Sequence, residues 1–143
     1  MAIYQIESVK MTQTKGIAHL GLSVKRLDET IAFFTNVLEW EKLSYDETYP
    51  RAAVSDGNLY LTLWQVDHSK SVTEFDRRQN IGLHHLALAI TSEAALNDLA
   101  AKIESYPRCK IEFMPELLRD GPNIHMMFYE PGGIRLELYW AAP

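Results

Sequence analysis

The sequence has few of the features that mark several common classes of protein. It contains a single cysteine, Cys109, which allows neither an internal disulfide nor a four-cysteine zinc site. No apolar run reaches the ~18 residues that a membrane-spanning helix needs. HExxH and paired Cys-x-x-Cys motifs are also missing. We therefore expect a protein of a reducing compartment, with no segment that crosses a membrane.

Basic residues are scarce as well. The chain has 14 Lys and Arg against 19 Asp and Glu, a net charge of −5, and its basic residues form no long run. A surface that follows a phosphate backbone needs a basic stripe, so nucleic acid is not an expected partner. Residues Met1–Lys10 lack the pattern of a signal peptide, and we expect a cytoplasmic location without membrane association.

The most informative feature is an internal repeat. The segment Ile17–Val24 reads IAHLGLSV and the segment His84–Ile90 reads HHLALAI, which share the order His-Leu-small-Leu-small-aliphatic. Each predicts a short strand followed by an amphipathic helix. The first helix is expected over Leu27–Leu38, and the second is expected to start at Ser92 as its N-cap.

Strand patterns follow each helix and complete the repeat. They end in Leu59–Val66 and in Ile134–Trp140, each after a turn that contains glycine. We predict an α+β fold of two βαβββ modules, residues 17–66 and 82–140, joined by a polar linker, 67–81. Together they form one domain, 17–143, after an N-terminal extension, 1–16. A unit of about 60 residues is marginal alone, so the modules should share a core or pair with another chain.

Strand alternation predicts which side chains face away from the helices. Because successive side chains point to opposite faces of a sheet, the apolar stripes face the helices and leave His19, His85 and Glu137 on the other face. Two imidazoles and one carboxylate suit Fe(II), Zn, Mn, Ni or Co with open coordination positions. The alternative is that these are surface or hydrogen-bonded structural residues, which polar groups on a sheet face usually are.

Further candidates share the same predicted face. His125, Tyr129 and Arg135 are candidates for a catalytic base or an anion contact. The predicted substrate pocket is lined by Tyr60, Thr62, Trp64, Met127 and Tyr139. For each of these residues, a side chain that lines the sheet without a chemical role is the alternative.

The repeated motifs, together with the segments Phe33–Trp40 and Phe128–Leu138, resemble the vicinal oxygen chelate superfamily of glyoxalases, extradiol dioxygenases and bleomycin-binding proteins. The likeness runs from Lys15 to nearly the end of the chain. It implies paired βαβββ modules that form an open, cupped sheet, an incomplete barrel with its helices outside. It also implies a divalent metal in the cup that is chelated by vicinal substrate oxygens.

The resemblance places His19, His85 and Glu137 at three of the family's ligand positions and Thr62 at the fourth. Classical glyoxalase I uses all four positions, so threonine there disfavours that activity, and Gly21 replaces a threonine usual in fosfomycin-resistance enzymes. Extradiol dioxygenases usually carry a tyrosine where Met127 stands. Compact bacterial members commonly complete each other's cups, which implies a homodimer with sites at the module interface.

The function expected from the residues and the resemblance is that of a metal-dependent enzyme. It would be a lyase, isomerase, transferase or dioxygenase that acts on a small oxygen-rich substrate. One alternative is a non-catalytic module that binds or sequesters a small molecule. The other is a structural or regulatory domain whose histidines have no role.

Overall fold

The computed structural model describes residues 12–143, so the first eleven residues of the predicted extension lie outside the described part. The elements are, in chain order, β1 (Leu20–Val24), α1 (Leu27–Asn36), β2 (Glu41–Asp46), β3 (Arg51–Ser55), β4 (Tyr60–Gln65), β5 (Leu86–Ala89), α2 (Glu93–Ser105), β6 (Lys110–Leu117), β7 (Ile124–Tyr129) and β8 (Arg135–Trp140). The order of one strand, one helix and three strands thus occurs twice.

Each module forms its own open sheet of four strands. The spatial order is β1-β4-β3-β2 in the first sheet and β5-β8-β7-β6 in the second. β1 runs parallel to β4 and β5 parallel to β8, whereas the other neighbours are antiparallel. The predicted α+β fold of two βαβββ modules is confirmed. β1 and β5, the strands next to the histidine motifs, are both edge strands.

Each helix covers one face of its own sheet, and the opposite face is called here the open face. Helix α1 buries Leu27, Ile31 and Phe34, which the apolar spacing of the sequence places on one face, and it also buries Phe33. It ends at Asn36, two residues before the predicted end at Leu38. Helix α2 begins after Ser92, whose Oγ accepts a hydrogen bond from the Ala95 N–H at 3.0 Å. That contact confirms the predicted N-cap. No helix within residues 12–143 has the length and hydrophobicity to span a bilayer.

The two modules share one hydrophobic core. The Phe33 ring of α1 lies 5.7 Å, between centroids, from both Tyr106 and Phe128 of the second module. Leu61 and Leu136 are fully buried in the same cluster. Sharing a core supplies the buried apolar area that a module of this size lacks alone.

A buried carboxyl group also joins the modules. Glu130, in the turn between β7 and β8, accepts hydrogen bonds from Thr30 Oγ1 of α1 at 2.9 Å and from the N–H groups of Gly132 and Ile134. Burial raises the pKa of Glu130. A Cβ atom at Gly132 would lie 2.1 Å from Thr30 Oγ1, so only glycine fits this approach. The turn therefore keeps α1 against the second sheet.

Candidate metal centre

The structure brings two of the three predicted metal ligands into contact. His85 Nε2 lies 3.1 Å from Glu137 Oε2 on the open face of the second sheet. Glu137 is buried on β8, where Ala87 of β5 lies beside it in the register and Met127 of β7 on its other side. Ala87 is the smaller of these two neighbours. An imidazole nitrogen and a carboxylate oxygen are a donor pair that suits a divalent cation.

His125 holds the second oxygen of the same carboxylate. Its Nδ1 lies 2.7 Å from Glu137 Oε1, and its Nε2 lies 4.0 Å from Glu116 Oε1. The Phe113 ring covers it at 4.8 Å between centroids, and its side chain is only 13% exposed. A nearly buried histidine in this place fixes the orientation of the Glu137 carboxylate. Its predicted role as a catalytic base remains a prediction.

His19, the third predicted ligand, lies on the first sheet. It is exposed, directly precedes β1, and its ring makes an edge-on contact with Tyr60 at 6.4 Å between centroids. Within residues 12–143 of one chain, no three His, Cys, Asp or Glu side chains are grouped so that they could hold a metal ion. The ligand set of His19, His85 and Glu137 therefore remains a prediction.

His84 has a contact that strand alternation did not predict. Strand alternation over the predicted strand from His84 places neighbouring residues on opposite faces, but His84 Nδ1 lies 2.8 Å from His85 Nδ1. The reason is that β5 begins only at Leu86, and both histidines precede the regular strand in which alternation holds. Desolvation and the nearby Arg135 charge lower the pKa of His84.

Arg135 and Tyr129 are engaged with other side chains. Arg135 binds Glu112 through Nε at 2.8 Å and Nη2 at 2.9 Å, and its side chain is 9% exposed. Arg77 of the linker reaches both Glu112, at 3.3 Å, and the Tyr129 hydroxyl, at 3.2 Å. The hydrogen bond from Arg135 lowers the pKa of Glu112, which keeps it charged. The predicted roles of Arg135 and Tyr129 toward a substrate remain predictions.

The predicted pocket residues fall into two groups on different sheets. Tyr60, Thr62 and Trp64 line a hollow of about 550 Å³ on the first sheet, together with Tyr45 and Arg51. Met127 and Tyr139 lie on the open face of the second sheet, where Asn123 Nδ2 donates to the Tyr139 hydroxyl at 2.7 Å. Within one chain, the predicted pocket residues thus lie on two different sheets.

Thr62 has a structural partner within the hollow. Its Oγ1 accepts a hydrogen bond from Trp64 Nε1 at 3.1 Å, which orients the indole ring. Arg51 lies over that ring at 5.3 Å, and Tyr49 packs against it at 5.2 Å. A Cβ atom at Gly21 would come within 3.2 Å of Thr62 Oγ1. Gly21 therefore leaves room for the hydrogen-bonded side chains of Thr62 and Trp64.

Several neighbours of the candidate site were not found by sequence reasoning. Arg77 and Glu112 lie in the linker and on β6, where no spacing relates them to the histidine motifs. Tyr49 lies in the turn before β3 and Arg51 is the first residue of β3, and no pattern in the sequence relates either of them to the hollow. Cys109 received no role, and burial raises the pKa of its thiol to about 12, so it is protonated at neutral pH.

Comparisons with known proteins agree with this architecture. A family profile described as the Glyoxalase/Bleomycin resistance protein/Dioxygenase superfamily matches residues 16–138. No curated protein matches the chain.

Solved structures with the same fold have low sequence identity to this chain. A glyoxylase/bleomycin resistance protein/dioxygenase domain from Frankia sp. EAN1pec is 23% identical, with a TM-score of 0.76, and the match covers 90% of this chain and 93% of that one. The fosfomycin resistance protein FosX from Listeria monocytogenes, in its hexagonal form, is 20% identical, with a TM-score of 0.67 and coverage of 90% and 95%. FosX from Mesorhizobium loti is 14% identical, with a TM-score of 0.67 and coverage of 90% and 94%.

At these identities, the solved structures establish the fold and leave the reaction open. The profile, by contrast, spans most of the chain and includes both histidine motifs and Glu137. This chain therefore belongs to the glyoxalase/bleomycin resistance protein/dioxygenase superfamily.

Proposed function

We propose that the protein is a metal-dependent enzyme that acts on a small, oxygen-rich substrate. The observation that carries the proposal is the contact of His85 Nε2 with Glu137 Oε2, at 3.1 Å on the open face of the second sheet. Family membership supports it, because the resemblance described above places both residues at ligand positions of the family. The reaction would be a lyase, isomerase, transferase or dioxygenase reaction.

The third ligand is His19 of a second copy of the chain. His19 precedes β1 and His85 precedes β5, and both strands are edges of open sheets. A symmetric dimer that sets β1 of one copy beside β5 of the other brings His19 toward the His85–Glu137 pair twice. The hollow around Trp64 and the face that carries Tyr139 then line one pocket.

The donor set fits a divalent cation such as Zn, Fe, Mn, Ni or Co, since it combines imidazole nitrogen with carboxylate oxygen. A bound cation would supply Lewis-acid stabilisation of negative charge that develops on substrate oxygens. His125 would keep the Glu137 carboxylate in place during this chemistry. Tyr129 and Arg135 remain the candidates for proton transfer or for an anion contact.

A second function, binding of a small molecule without reaction, is favoured by one observation. Arg135 and Tyr129 have partners in Glu112 and Arg77, and His125 holds Glu137, so each of the three candidate catalytic residues is engaged with another side chain. In that case the aromatic hollow of the first sheet would be the binding site. Ligand binding that is equally tight in metal-free and metal-loaded protein would favour this function.

Elemental analysis of protein purified without chelator or added metal tests the proposed enzyme. We expect bound metal in the wild type and its loss in His85→Ala and Glu137→Gln. His68→Ala is the matched control, because His68 lies in the linker, where its Nε2 contacts the Lys25 carbonyl at 2.7 Å and its charge acts on Asp67. Metal that stays bound in the first two variants, or none in the wild type, contradicts the proposal. Activity screens for the four reaction classes follow on the loaded protein.

A mixing experiment tests whether two chains form each site. His19→Ala and Glu137→Gln each remove a ligand from both sites of a homodimer. When the two variants are unfolded together and refolded, a mixed dimer holds one site with no substitution if ligands come from both chains. We then expect partial recovery of metal, whereas sites made within one chain recover none.

A further inference from the structure

A chain of polar contacts runs from the linker to the proposed ligand His85. Arg77 and Arg135 both bind Glu112, and Arg135 Nη1 lies 3.4 Å from His84 Nδ1. His84 Nδ1 in turn lies 2.8 Å from His85 Nδ1. These contacts join the linker to β6, β6 to β8, and β8 to the segment before β5.

The chemistry of this chain fixes which nitrogen of His85 carries a proton. A guanidinium can only donate, so His84 Nδ1 must be the acceptor for Arg135. The same lone pair then faces His85 Nδ1, which must donate for the 2.8 Å contact to be a hydrogen bond. His85 therefore carries hydrogen on Nδ1. In the neutral ring that a metal needs, Nε2 then keeps its lone pair, and it lies 3.1 Å from Glu137 Oε2.

Burial and charge hold the Arg135 end of this chain of contacts in place. The Arg135 side chain is 9% exposed and binds Glu112 with two nitrogens, a geometry that a planar guanidinium holds better than an ammonium. Arg77 adds a second positive charge to the same carboxylate and is 28% exposed. Its other nitrogen donates to the Tyr129 hydroxyl, so the linker is tied to the second sheet.

We propose that Arg77, Glu112, Arg135 and His84 are positioning residues that orient His85 and present its Nε2 toward Glu137 and the metal. This inference rests on the proposed function, in which His85 is a ligand. Ligands of this kind usually donate their second ring N–H to a neighbouring acceptor, and loss of that acceptor weakens metal binding. Here the acceptor is another histidine, held in turn by an arginine.

The chain offers a matched pair of variants for the test. Arg77→Gln removes a charge that contacts Glu112 and Tyr129. Arg78→Gln removes the same charge next to it, where the side chain has no hydrogen bond or ion pair among residues 12–143. Arg77→Lys keeps the charge but loses the planar guanidinium, so it should keep part of the Co²⁺ affinity that Arg77→Gln loses. His84→Phe removes the acceptor itself while keeping a ring of similar size.

The first measurement is Co²⁺ affinity, by titration of the metal-free full-length protein, together with the absorption spectrum of the bound ion. We expect His84→Phe to weaken Co²⁺ binding by about tenfold to a hundredfold and Arg77→Gln by a smaller factor. Arg78→Gln should match the wild type. Equal affinities and spectra in the wild type, His84→Phe, Arg77→Gln and Arg78→Gln would overturn the proposal.

The second measurement does not need a metal, so it separates the positioning role from the proposed function. Diethyl pyrocarbonate modifies accessible imidazole nitrogens, and mass spectrometry reports the rate for each histidine. Both nitrogens of His85 have close neighbours, so its rate should rise several-fold in His84→Phe and in Arg77→Gln but not in Arg78→Gln, with His19 as the internal reference. If the wild type binds no Co²⁺, the proposed function fails, and the labelling rates alone decide the positioning role. Unchanged rates in every variant contradict that role.

Discussion

Thr62 on β4 and Glu137 on β8 occupy the same place in the two modules. Thr62 is the register partner of Gly21, two residues after His19, and Glu137 is the partner of Ala87, two residues after His85. The two positions nevertheless have different partners. The Glu137 carboxylate faces two histidines, whereas the Thr62 hydroxyl accepts the Trp64 indole N–H.

Thr62→Glu should increase the affinity of the protein for divalent cations. In the proposed dimer, the new carboxylate would stand beside His19 as a fourth ligand, and a gain of about tenfold corresponds to ~1.4 kcal/mol. Thr62→Gln is the control, since it has the same size without the charge. Isothermal titration with Zn²⁺ on the metal-free protein is the measurement, and equal affinities for the two variants would contradict a site that includes the first sheet.

His125→Phe should weaken metal binding without removing it. The phenyl ring fills the space under Phe113 but gives up the contact with Glu137 Oε1 at 2.7 Å, so the carboxylate loses its fixed orientation. Metal affinity typically falls by about tenfold to a hundredfold when a residue that hydrogen-bonds a metal ligand is removed. His125→Gln, which keeps a donor, should lose less. Equal metal affinity in wild type and His125→Phe would exclude the orienting role.

Gly132→Ala should be strongly destabilising. The added Cβ would lie 2.1 Å from Thr30 Oγ1 and 2.8 Å from Glu130 Oε1, between parts of the two modules that cannot separate without loss of the shared core. We expect a decrease of about 3 kcal/mol in the free energy of unfolding, measured by urea denaturation.

Gly82→Ala is the control for this change, because the new Cβ meets only the end of the exposed Phe75 side chain. Its free energy of unfolding should stay near that of the wild type. If Gly132→Ala lowers the free energy of unfolding as little as Gly82→Ala does, the turn between β7 and β8 is not tightly held against α1.

The buried Glu130 should make stability depend on pH. Its pKa is raised in the folded state, so above the unfolded value, about 4.3, the unfolded chain loses this proton while the folded chain keeps it. The free energy of unfolding should therefore decrease as pH rises from about 4.3 to the pKa of Glu130 in the folded state. Above that pH, Glu130 is ionised in both states and causes no further change.

Glu130→Gln removes this proton and should remove that decrease. The measurement is urea unfolding of both proteins at a series of pH values. The difference in unfolding free energy between wild type and variant is expected to fall with rising pH. A difference that stays constant, or that rises, would mean that the hydrogen bonds from Thr30 and the two backbone N–H groups outweigh the cost of burial.

Periodicity in the sequence is sufficient for much of the fold. The repeated His-Leu-small-Leu motif, the spacing of Leu27, Ile31 and Phe34, and the N-cap Ser92 depend on local geometry, and the structure has the corresponding strands and helices. The same alternation places Glu137 and His125 on one face, because it operates within regular strands. Outside strands it does not hold, as His84 shows.

What the sequence by itself determined is therefore the set of elements, their order, and the faces of side chains within strands, since each follows from interactions between residues close in the chain. The tertiary structure alone decided that His85 touches Glu137, that Arg77 and Arg135 share Glu112, and that His19 lies on the other sheet. Such contacts join residues far apart in sequence. Those around Glu137 and Glu112 depend on how β5, β6 and β8 are placed in the second sheet, and the position of His19 depends on the division into two sheets.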